Sequence, residues 1–208
     1  MNDPQNPVPH DPGPTSPTLL DRLRRQDPEG WRRHVRLYGP LIYRWCRRAR
    51  LQQDDAADVA QEVFRTVATR INDFRRDRPG DTFRGWLWTI TRFKIGDHLR
   101  RLERQPHAAG GTDAQAALHN LPEQLPDDEE SAAEFSALVH RAMELVKAEF
   151  SERTWQAFWR TAVEGQAPKD VAAELGVTPD AVRMAKSRVL RRLRDELPDL
   201  ADEGLRSS

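Results

Sequence analysis

Residues 177–197 constrain the fold more than any other stretch, because they combine a start signal, a helical apolar stripe and a basic far side. Thr178 suits a helix cap, Pro179 suits the first helical position, and Asp180 complements the positive end of the helix dipole. At about 100° per residue, Val182, Val189, Leu193 and Leu197 fall on one side. Asp180, Arg183, Met184, Ser187, Arg188 and Arg191 fall on the other. Just upstream, residues 169–176 read as a shorter helix that ends in a turn at Gly176. Helix, glycine turn and capped basic helix is the plan of a helix-turn-helix, whose second helix enters a DNA major groove. An ordinary helical hairpin with a solvated basic face is the alternative. The excess of one sign on that face favours DNA.

The remainder of the chain carries the same period and no strand pattern. Residues 1–17 are rich in proline with Asn, Asp, Gly and Ser, a composition too poor in apolar surface to order itself, and are expected to be a disordered tail. Helix is expected from Leu19, Leu20 and Leu23, then from the start signal Asp27-Pro28-Glu29 through Trp31, Val35 and Tyr38. Pro40 is expected to interrupt that helix before Leu41, Ile42, Trp45, Cys46 and Ala49 resume the pattern. Asp54 or Asp55 is expected to cap the next helix. Its Val59, Ala60, Val63, Phe64, Val67 and Ile71 gather on one half, opposite Asp58, Gln61, Glu62, Arg65 and Thr69.

Residues 72–82 read as a basic loop entered by Phe74. In the helix that follows, Trp86, Ile90 and Phe93 form one apolar arc, and Trp88, Ile95 and Leu99 form another roughly opposite. Arg92, Lys94, Arg100 and Arg101 interleave with those rings, which offers planes for bases and cations for phosphate. A central core helix with peripheral arginines fits the pattern equally well. After an Ala-, Gly- and Pro-rich stretch ending in the acidic run 127–130, Phe135, Leu138, Val139, Ala142, Leu145 and Val146 mark another helix. Ser151 suits the cap of a further one, with Trp155, Phe158, Trp159, Ala162 and Val163 as its core face.

Formal net charge is zero, but the charge is segregated: residues 18–101 carry +9 and residues 102–149 carry −7. A basic block is thus joined by an acidic connector to a mixed block. The single cysteine, Cys46, excludes an internal disulfide and lies among apolar positions as a buried small hydrophobe. The six histidines show no metal-ligand spacing. No stretch is long or apolar enough to span a membrane, so a cytoplasmic protein with no membrane partner is expected.

Three segments in order resemble a known family. Asp58-Val-Ala-Gln61-Glu62-Val-Phe64, then Phe83-x-x-Trp86-Leu-x-Thr-Ile-x-Arg92 with Asp97-His-Leu-Arg-Arg101, then Glu164-Gly165 through Leu193 are similar to the bacterial RNA polymerase sigma factors of the extracytoplasmic-function (ECF, sigma-70-like) type. The resemblance spans roughly residues 18–197. It implies an all-α chain: sigma region 2 at 18–101, a flexible acidic linker at 102–130, a sigma region 4 helix-turn-helix at 131–198, and a tail at 199–208. It implies an alternative sigma factor that binds core RNA polymerase through the β′ clamp and β flap and directs promoter-specific initiation. No catalysis and no cofactor are implied, and an anti-sigma factor is a candidate further partner.

On this resemblance Asp58, Gln61, Glu62 and Arg65 are candidate polymerase contacts. Phe74, Arg75, Arg76, Trp88, Arg92 and Lys94 are candidates for the −10 element, where a captured base offsets a cost of about a few kcal/mol for unstacking. Thr178, Arg183, Met184, Ser187, Arg188 and Arg191 are candidates for the −35 element. The chain departs from the family pattern at Ala167, where a serine cap is common, and at Met184 and Ala185, where small polar and basic residues are common. A free-standing helix-turn-helix regulator is the main rival, but leaves the Trp/Arg helix and the polar face of residues 58–65 idle. A nuclease-like enzyme would need clustered carboxylates, and Asp54, Asp55 and Asp58 are better explained by capping and docking.

Overall fold

The computed structural model describes residues 17–78, 80–103 and 120–200. The expected tail at 1–17 lies outside them up to its last residue, as do residues 104–119 of the expected linker and 201–208 of the expected C-terminal tail. Every regular element among the described residues is helical, as the 3.6-residue period requires. The chain divides into two bodies, one formed by Leu19–Leu138 and one from Val139 onward.

The first body begins with α1 (Leu19–Arg24), which buries Leu19 and Leu23. Asp27 caps α2 (Pro28–Arg48), its carboxylate accepting from the Glu29 and Gly30 amides. Gly30 is required by packing: a Cβ there would lie 2.5 Å from the Arg22 Cβ, so α1 and α2 meet backbone to side chain. Pro40 does not interrupt α2, contrary to the sequence expectation. Proline inside a helix costs about 3 kcal/mol. Leu37, Tyr38, Leu41 and Ile42, on both sides of it, are all buried in one core, and their burial holds the helix through the fault.

α3 (Gln53–Arg70) is capped by Gln52 with no side-chain bond, so the expected Asp54 or Asp55 cap is corrected. Both aspartates fall inside the first turn, where their charge complements the helix dipole. A short 3₁₀ turn (Ile71–Asp73) and the loop lead to α4 (Phe83–Glu103), started by the Thr82 hydroxyl accepting from the Gly85 amide at 3.0 Å. At the centre of this body, His34 is ringed by Trp31, Tyr38, Phe64 and Phe83 with ring centroids 5.1–5.7 Å apart. Burial lowers the His34 pKa to about 3, so the imidazole is neutral. Burial also pushes the Cys46 thiol up to about 12, which leaves it an inert core group.

α5 (Glu129–Lys147) is capped by Asp128, which accepts from the Ser131 amide at 2.8 Å. The second body continues with α6 (Glu152–Ala162), capped by Ser151; α7 (Pro168–Leu175); and α8 (Pro179–Glu196). On α6 the core face is Trp155, Ala157, Phe158 and Thr161. The expected Ala162 and Val163 are exposed because α6 ends there. α7 starts at Ala167 with no side-chain cap and ends on Gly176 at φ 64°, a left-handed conformation that favours glycine. Thr178 caps α8 by accepting from the Ala181 amide at 3.2 Å. The small side chains Ala157, Val171, Ala172, Val182 and Ala185 form the core between α6, α7 and α8.

Candidate functional site

The outer side of α3 presents Asp58, Gln61 and Arg65 to solvent, because Ala56, Val59, Val63 and Val67 take the inner side. Glu62 lies at the edge of this face. Its carboxylate pairs with Arg65 one turn on, and its other oxygen lies 3.9 Å from the Lys94 ammonium on α4. The two helices thereby frame a shallow groove lined by Glu62, Lys94, Asp97, Arg100 and Arg101. Asp97 pairs with Arg100 at 2.7 Å along its rim. Deeper on the same side, the His98 imidazole lies 3.3 Å from the Asp55 carboxylate.

The loop before α4 exposes Arg75, Arg76 and Arg78. Its shape comes from Asp81, whose carboxylate accepts from the Arg78 amide at 2.9 Å and the Asp77 amide at 3.2 Å. The Arg75 guanidinium folds back on the Asn72 and Phe74 carbonyls. Phe74 itself is buried, at 3% exposure, against Phe83 and Trp86 with centroids 5.3 Å away. Trp88 is also buried, at 4%, edge-on to Trp45. Of the six residues expected at the −10 element, Arg75, Arg76, Arg92 and Lys94 therefore reach the surface. Phe74 and Trp88 are core rings that fix the loop and α4 from beneath.

Phe93, placed by sequence in an apolar arc but not among the contact residues, is 60% exposed. The Arg92 guanidinium carbon lies 6.0 Å from its ring centroid. An exposed ring beside an arginine is the pairing that stacking on a base requires. The signal was present in the two-arc pattern of α4, but the pattern does not say which arc faces outward.

On α8, Arg183, Met184, Ser187 and Arg191 are exposed together, with Arg188 half-buried at their margin. Met184 is 61% exposed and Ala185 4%, so the methionine belongs to the outer face and the alanine to the core. Arg183 is paired with Asp180 one turn back. Thr178 uses its hydroxyl on the α8 cap, at the end of this row. Sequence reasoning missed Arg192, which is 3% exposed and held by Glu149 at 2.6 Å and by Glu196. These acids raise the Arg192 pKa despite the burial that opposes it. The i, i+4 spacing of Arg192 and Glu196 beside the Val189 and Leu193 stripe was the available clue.

Among the described residues no group of His, Cys, Asp and Glu is arranged to hold a metal, and no helix is long and apolar enough to cross a membrane.

Comparison with known proteins identifies the family. Residues 34–105 match the family model of sigma-70 region 2, which takes in most of α2, α3, the loop and α4. The ECF RNA polymerase sigma factor SigD of Mycobacterium bovis is 32% identical over 174 residues, covering 78% of this chain and 74% of the relative. The SigD of Mycobacterium tuberculosis has the same identity and coverage. The ECF RNA polymerase sigma factor SigE of Mycolicibacterium smegmatis is 30% identical over 198 residues, covering 94% of this chain and 72% of the relative. With relatives at these identities and coverages and a region 2 match, the chain belongs to the ECF family of sigma-70-type RNA polymerase sigma factors.

Proposed function

We propose that this sigma factor docks core RNA polymerase with the outer face of α3, opens the −10 region with the loop and α4, and reads the −35 element with α8. The observation that carries the reading is the first body: one compact unit holds a polar face without an apolar role, a basic loop, and an exposed Phe93 beside Arg92. Asp58, Gln61, Glu62 and Arg65 make the polymerase contacts, with the β′ clamp as the partner surface. The second body meets the β flap and DNA. Arg75, Arg76, Arg92 and Lys94 hold the phosphates of the melted strand, and Phe93 stacks on a base. Phe74 and Trp88 act by positioning.

Arg183, Arg188 and Arg191 serve phosphate or guanine edges, and Met184 has the length and softness to meet a thymine methyl. Neither body on its own needs high DNA affinity, since polymerase holds both near the promoter. The protein would act in the cytoplasm, where its polymerase is. A free-standing helix-turn-helix regulator explains α7 and α8 but gives no role to the α3 face or to Phe93.

The test is co-purification of the full chain with core polymerase, followed by transcription in vitro from a promoter library. The expected result is a stable complex that initiates from a restricted set of sequences. A chain that shifts duplex DNA tightly without polymerase, and does not bind core, would be a regulator of the other kind.

A further inference from the structure

The start of α5 is bound to the first body in an unusual way. Its inward stripe is Ser131, Glu134 and Leu138, at i, i+3 and i+7, all buried. A helix docked only for stability would place an apolar residue at the middle position. Here that residue is a glutamate, 3% exposed, whose carboxylate accepts from the Trp45 indole N–H at 2.9 Å. Burial pushes the Glu134 carboxyl up, which marks the cost of keeping a charge there.

The neighbouring contacts have the same character. The Arg48 guanidinium meets Asp128 at 3.0 Å, Glu130 at 3.2 Å and Glu134 at 3.7 Å. Three carboxylates around one guanidinium is more negative charge than a structural ion pair needs. One residue on, the Arg84 guanidinium carbon of α4 lies over the Phe135 ring, 4.4 Å from its centroid. Trp45 in turn packs edge-on against Trp88 of α4. The segment thus sets acidic oxygens on an arginine and a planar ring on a second arginine, over a tryptophan pair. A single strand of nucleic acid would present groups of the same two kinds, anionic oxygens and planar rings.

We propose that the segment from Asp128 to Phe135 is an internal clasp that occupies a single-stranded DNA surface made by Arg48, Trp45 and Arg84. The inference rests on the promoter-opening reading above and adds to it a further stretch of surface, for which the strand and the clasp compete. In the free protein the face is covered, and single-stranded DNA binds weakly. The clasp lifts when polymerase brings a melted strand against it.

The test uses the full chain and a fluorescent single-stranded oligothymidylate. Anisotropy gives its affinity, and backbone hydrogen exchange follows residues 129–136. Adding the oligonucleotide should speed exchange in that segment alone. Phe135→Leu changes no charge and keeps apolar packing, and should tighten oligonucleotide binding several-fold. Glu130→Gln with Glu134→Gln should tighten it about tenfold, about 1.4 kcal/mol. The equal charge change Glu123→Gln with Asp127→Asn should give much less. Arg48→Ala or Arg84→Ala added to the opened variant should remove the gain.

Circular dichroism melts check that each variant is folded. Unchanged exchange in residues 129–136 on adding DNA, or equal gains from the two charge-matched pairs, would overturn the clasp. Core-polymerase binding and transcription by the wild-type chain are measured beside it. If they are normal while the clasp tests fail, the clasp alone is wrong; if core is not bound, the sigma-factor reading itself fails.

Discussion

Met184 and Ala185 are adjacent in sequence, yet one is 61% exposed and the other 4%, so a single step around α8 separates the outer face from the core. Replacing Met184 by alanine should leave the stability of the second body unchanged and alter base preference at the −35 element. Transcription from a library randomised at −35 measures it, and an unchanged preference would remove Met184 from the readers. Arg188→Ala should reduce promoter-specific transcription about tenfold, a loss of about 1–3 kcal/mol, whichever of base edge or phosphate it meets. Phe93→Ala should slow promoter opening with core binding intact, as followed by permanganate reactivity of unpaired thymines. A variant that opens the promoter at the normal rate would exclude the ring from stacking. At this scale the sequence was a good guide to α8, where a single amphipathic face has one inside. It was a poor guide to α4, where two apolar arcs compete and the neighbours decide. Packing against Trp45 draws Trp88 inward, and Phe93 is left outside.

Helices were legible to within a turn because their apolar period is strong, and their ends were legible where a side chain makes the cap. Asp27, Ser151 and Thr178 all cap as their chemistry predicts. Two features escaped local reasoning because tertiary burial outweighs propensity: α2 continuing through Pro40, and α3 starting on Gln52. The buried Arg192 with Glu149 and Glu196 escaped it too, since the partners are brought together by the fold across 43 residues.

Removing the guanidinium withdraws a cation from the buried Glu196 and the half-buried Glu149, so Arg192→Ala should destabilise the second body by about 3–5 kcal/mol. Urea unfolding checks this, and Arg192→Leu with Glu196→Leu should recover a part of the loss. In the first body, His34 sets an acid limit. Its folded pKa, about 3, lies below the unfolded value, so the unfolded chain gains the proton first as pH falls. Stability is full above about pH 6.5 and should drop by about 2 kcal/mol by about pH 5. Comparing urea midpoints of wild type and His34→Leu at the two pH values isolates the slope; an equal slope in both would exclude His34 as its source.

The whole molecule has zero net charge but is built from blocks of opposite sign, so the zero sum does not exclude a nucleic-acid partner. Family and fold class could be read from three motifs. What could not be read was contact between distant segments, such as Glu134 with Trp45 across 89 residues, since no period or motif encodes it. At this scale Glu62→Ala should weaken core-polymerase binding about tenfold in a pull-down titration and leave duplex binding by the second body unchanged.

Glu62 also has a second partner. Its carboxylate, on the proposed docking face, is shared with Lys94 on α4 at 3.9 Å. A polymerase residue that claims that carboxylate withdraws the counter-charge from Lys94 and leaves an ammonium facing the strand. Docking and strand binding are then coupled through one half-exposed ion pair, and the coupling has to be mutual. Because such a pair is worth at most about 1 kcal/mol, the coupling adjusts the order of events and does not act as a lock. Core binding should make the chain a better DNA ligand by up to about fivefold, and promoter DNA should retain the chain on core by the same factor.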